Sequence, residues 1–61
     1  MESKYFLLIA SGEIGEESLK LTSYDSYSEL WQYLQDRLFL DDPKWYQIYW
    51  GDTLIMQRVL Q

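Results

Sequence analysis

Trp45-Tyr46-Gln47-Ile48-Tyr49-Trp50-Gly51-Asp52-Thr53-Leu54-Ile55-Met56-Gln57-Arg58-Val59-Leu60 is the stretch on which the fold turns. Two runs rich in aromatic and branched residues flank a Gly-Asp pair, the pattern of two strands joined by a two-residue turn with glycine first. A turn of that length sets a register: Trp50 opposite Thr53, Tyr49 opposite Leu54, Ile48 opposite Ile55. One face of the hairpin is then expected to carry Tyr46, Ile48, Trp50, Ile55 and Val59. The other carries Trp45, Tyr49, Leu54, Met56 and Leu60, with Gln47 and Arg58 among them. Arg58 is expected across from Trp45, within reach of a cation–π contact. Both faces are apolar, so both need cover.

Working outward, Lys4 to Ala10 is a short apolar run of strand character. Ser11 to Glu17 is polar and punctuated by Gly12 and Gly15, a loop. Ser18 to Thr22 alternates, with Leu19 and Leu21 on one side and Lys20 on the other: a half-buried strand whose lysine suits an edge. Ser26-Tyr27-Ser28-Glu29 fits a capping box. A helix follows, with Tyr27, Leu30, Trp31, Leu34 and Leu38 on one stripe and Glu29, Gln32, Asp36 and Arg37 on the wet side. Asp41-Asp42-Pro43 ends it, because proline drives the preceding residue out of the α region.

The order β-β-α-β-β predicts an α+β fold, a four-stranded mostly antiparallel sheet with one helix packed on one face. The first and last strands are apolar on both sides and are expected in the centre. The helix is expected over Ile48, Ile55 and Val59, leaving the face with Trp45, Tyr49, Leu54, Met56 and Leu60 open.

Residues 1–61 suffice for a single small acidic domain, close to the lower limit for independent folding. Such a core supplies only about 3–5 kcal/mol without a staple. The chain has no cysteine and no histidine, which removes disulfides, thiolate sites and the commonest metal ligand. It also removes Ser-His-Asp and Cys-His catalysis. Chance pairs of acids abound, but a chain this short does not wall a glycosidase cleft. The expectation is a protein that is not an enzyme and holds no cofactor or metal. Glu16-Glu17 and Asp41-Asp42 lack the alternating acids and glycine of a calcium loop. Gly12-Glu13-Ile14-Gly15 has the spacing of a KH-type clamp, yet its acidic neighbours repel phosphate.

The net charge of −5 argues against direct binding of nucleic acid or anionic membrane. Trp45, Tyr46 and Tyr49 on a sheet would stack bases only with basic surroundings, and Lys44 and Arg58 are the only cations near. No apolar run reaches the roughly 18 residues of a membrane span. The start has no basic leader, so the cytoplasm is the expected compartment.

What remains is a non-enzymatic binding module, an inhibitor or regulator. Aromatics, Met and Arg are enriched at interface centres. Trp45, Tyr49, Leu54, Met56, Arg58 and Leu60 are the candidate partner-binding residues, docking on another protein or on a second copy in a homodimer. A second reading is an acidic mimic of nucleic acid, of the kind phages and mobile elements use against DNA- or RNA-handling enzymes. Its partner would be a basic nucleic-acid-binding protein met by Glu13, Glu16, Glu17, Asp36, Asp41 and Asp42. A third is a small structural subunit of a larger complex.

Overall fold

A computed structural model describes residues 4–12 and 18–60. The elements are β1 (Tyr5–Ser11), β2 (Ser18–Tyr24), α1 (Tyr27–Leu40), β3 (Trp45–Trp50) and β4 (Thr53–Val59). They form the expected α+β fold: one four-stranded sheet in the order β2-β1-β3-β4, every pairing antiparallel, with a single helix.

The local signals act as read. Ser26 is extended, and its Oγ accepts from the backbone N–H of Glu29 at 3.3 Å, satisfying one free donor of the first turn. At the other end Asp41 caps the helix and its N–H donates to the Arg37 carbonyl. Asp42 turns left-handed at φ 49°, a region Asp tolerates better than most residues, and Pro43 is fully buried behind it. Gly51, at φ 61°, takes the first turn position of the β3–β4 hairpin.

The core lies between α1 and one face of the sheet. Leu30 and Leu34 from the helix meet Leu7 and Ile9 of β1 and Tyr46 and Ile48 of β3. Tyr5, Tyr24, Tyr33 and Leu38 close its margins. The helix backbone lies across β1 and β2 rather than over the middle of the sheet.

Four expectations are corrected. Of the expected helix stripe, only Leu30 and Leu34 are buried. Tyr27 and Trp31 stack on each other at the flank, and Tyr27 continues through Tyr5 to Trp50 as a row of ring contacts. Tyr33 takes the inward place instead, with Lys20 and Arg37 over its ring at 5.8 and 5.2 Å, so Arg37 is not on the wet side. Second, Leu19 and Leu21 point away from the helix, and Lys20 and Thr22 point toward it. Third, β1 is central but β4 is an outer strand: β1 already pairs with β2 and β3, which leaves β4 only its hairpin neighbour.

The fourth correction is register. Trp50–Thr53 and Tyr49–Leu54 pair as expected, but Ile48 pairs with Met56, not Ile55. Ile55 is the extra residue of a β-bulge. Because strand side chains alternate, one extra residue moves every later side chain to the opposite face.

Candidate functional site

The bulge divides the expected patch. Trp45, Tyr49 and Leu54 lie on the face away from the helix, as expected. Met56 and Arg58 lie on the helix side, opposite Ile48 and Tyr46, and the Tyr46 hydroxyl reaches the Met56 sulfur at 4.0 Å. Leu60 follows them, its N–H donating to the Lys44 carbonyl at 2.8 Å. Val59, not Arg58, is across from Trp45, so no Arg58–Trp45 contact forms. Neither Ile55 nor Val59 sits under the helix; both are exposed.

The helix-free face is larger than the sequence suggested. β1 contributes Phe6, Leu8 and Ala10. Opposite them β2 places Leu19, Leu21 and Ser23. β3 contributes Trp45, Gln47 and Tyr49, and β4 adds Leu54, Gln57 and Val59. None of these three residues per strand is charged. In a chain with ten acidic and five basic residues that is a marked segregation. Leu19 and Leu21 remain 60% and 63% exposed and Val59 66%. Phe6, Leu8, Leu21, Tyr49 and Gly51 line a shallow apolar depression of about 380 Å³.

Three polar side chains on this face bond one another. The Tyr49 hydroxyl donates to Gln47 Oε1 at 2.6 Å, and Gln47 Nε2 donates to Gln57 Oε1 at 3.1 Å. A face whose polar side chains already have partners loses less when water is removed, since an unpaired buried polar group costs about 1–3 kcal/mol. Phe6, Leu8 and the leucines of β2 were missed in the sequence. The available signal was pairing of Leu8 with Leu21 across the first hairpin, but the β1–β2 loop gave no register.

Of the acids expected to mimic nucleic acid, Asp36, Asp41 and Asp42 lie at or just beyond the C-terminal end of α1. Asp41 accepts from Arg37 Nη1 at 2.9 Å. That hydrogen bond, with the negative charge of Asp41, raises the Arg37 pKa above its usual value, so the guanidinium stays charged at every working pH. Asp36 and Asp42 are exposed. Glu13, Glu16 and Glu17 lie outside the described residues, as does most of the Gly12-Glu13-Ile14-Gly15 motif. Among the described residues, no three His, Cys, Asp or Glu side chains gather to hold a metal, and no helix is long and apolar enough to cross a membrane.

No family model, no curated protein and no solved structure matches the chain.

Proposed function

We propose that the chain is a non-enzymatic protein-binding module of the cytoplasm that inhibits or regulates a protein by docking on it through the helix-free face of its sheet. The observation that supports this reading is the absence of charge from the described strand residues of that face. Interface centres are depleted of Lys, Glu and Asp, and contiguous apolar patches of this kind are rare on a monomer unless something covers them. Tyr49 and Trp45, half-buried and rigid, supply the aromatic anchors. Polar partners Gln47 and Gln57 sit between them with their bonds already made.

The test compares the native chain with Leu19→Asp and Leu21→Asp, two exposed positions outside the core. A partner that co-purifies from native cells is titrated against each purified protein. Loss of at least about tenfold in affinity for either variant, and persistence of native binding in high salt, is the expected result. Equal affinity for all three proteins, or binding that disappears with salt, sinks the reading. The second outcome favours an acidic mimic meeting a basic nucleic-acid-binding protein.

A further inference from the structure

The two outer strands are not equally protected. β2 carries Lys20 near its centre, a common guard against strand addition. β4, Thr-Leu-Ile-Met-Gln-Arg-Val, has no proline, lysine or acid, and all seven of its residues are exposed. In an antiparallel ladder the backbone groups of successive residues point alternately to the two sides. The Leu60 N–H donates to Lys44 of the β3 side. By alternation Arg58 and Met56 also turn their backbone groups toward β3. Those of Gln57 and Val59 therefore turn outward, to the free edge.

We propose that β4 pairs with β4 of a second copy, antiparallel about a two-fold axis through Gln57, joining two four-stranded sheets into one of eight. Outward-turned residues must meet outward-turned residues, which places Gln57 opposite itself, with Val59 ending beside the bulge at Ile55 of the second copy. Met56 then faces Arg58 on the helix side. An axis through Arg58 would pair Gln57 with Val59, but it would set two guanidinium groups directly opposite each other, which like charges disfavour. An axis through Ile55 straddles the bulge, where the alternation breaks.

For a second copy, this edge is the approach that charge opposes least. Two molecules of net charge −5 repel over most approaches. Glu29 and Asp36 ride on α1, which lies over β1 and β2, while β4 carries only Arg58. Approach through β4 therefore keeps the helix acids far apart. The axis runs perpendicular to the sheet, so both helix-free faces stay on one side. The pairing is independent of what docks on them.

The test uses the absence of cysteine. In a hydrogen-bonded antiparallel pair the Cα atoms lie about 5.5 Å apart, inside the range that a disulfide spans. Gln57→Cys is expected to give a covalent dimer under mild oxidation. Arg58→Cys, with its copies on a diagonal about 7–8 Å apart, and Leu21→Cys, exposed on the other edge, are expected to stay monomeric. Sedimentation velocity from low micromolar to millimolar should show a native dimer that weakens at least about tenfold in Val59→Lys. It should weaken likewise in Val59→Pro, which removes an outward N–H without touching the β3 ladder. Far-UV circular dichroism checks that each variant is folded. Leu21→Asp should leave the dimer unchanged, so loss of edge pairing and loss of face docking read out separately. A native monomer at every concentration overturns the proposal, as does cross-linking of Leu21→Cys in preference to Gln57→Cys.

Discussion

Leu34→Ala and Leu21→Ala remove the same atoms and should differ several-fold in cost. Leu34 is fully enclosed between α1 and the sheet, whereas Leu21 keeps 63% of its surface in water. Truncating an enclosed leucine costs about 2–5 kcal/mol, because the lost transfer energy is joined by an unfilled cavity. Leu21 has only about a third of its surface to lose and leaves no cavity. Complete burial of a leucine is worth about 1.5–3 kcal/mol, so the Leu21 change should cost roughly 0.5–1 kcal/mol. A domain of this length has about 3–9 kcal/mol in total. With a urea slope near 1 kcal/mol/M, the midpoint should fall by about 3 M for Leu34→Ala and by less than about 1 M for Leu21→Ala. Tryptophan fluorescence at low micromolar concentration measures both. Equal losses would show that the chain itself covers Leu21, and the account of an open face would be wrong.

Other outcomes follow from single contacts. Ser26→Ala should lower stability by about 1 kcal/mol through the lost N-cap bond, a fall of about 4–8 °C in Tm. An unchanged melt would show the cap to be idle. At the β3–β4 turn, Gly51→Ala should cost about 1–2 kcal/mol, because Gly51 holds a positive φ that glycine adopts without a Cβ penalty. Equal urea midpoints for glycine and alanine refute this. Asp41→Asn should cost no more than about 0.5 kcal/mol, since the Arg37 pair is half-exposed. A larger loss, or one that survives 1 M salt, contradicts it. Deleting Ile55 should be tolerated: the flanking pairs Tyr49–Leu54 and Ile48–Met56 persist without it. Cross-strand NOEs between residues 48 and 56 report this, and their loss would mean Ile55 is not the extra residue.

Much of the fold was legible because its signals are local. Ser26 and Asp42-Pro43 bracket the helix, Gly51-Asp52 fixes a hairpin, and a 3.6-residue period marks Leu30 and Leu34. The candidate site was only half legible. Trp45 and Tyr49 lie on β3, which gains no residue at the bulge, and Leu54 precedes it, so all three lie on the expected face. Met56, Arg58 and Leu60 follow it and were placed on the wrong one. Alternation carries no mark of an inserted residue when the residues on either side are all apolar, as Leu54, Ile55 and Met56 are. Strand order failed for a related reason. An apolar strand exposed on both faces has the same composition as one buried on both, so β4 was expected in the centre. On α1, Tyr33 displaced Trp31 from the inward stripe: its ring lies between β2 and the helix, where Lys20 and Arg37 stabilise it.

The off-centre helix also grades the molecule kinetically. β1 is held by two strands and the core leucines, so its amides should exchange with solvent only on global unfolding. β4 is held by β3 alone, and peeling it away disturbs neither Leu30 nor Leu34. Such a strand opens sub-globally, at a fraction of the free energy of complete unfolding. The Met56 and Arg58 amides should therefore lose their protons well before those of Leu7 and Ile9. Between those events lies a three-stranded intermediate with the outer border of β3 laid bare.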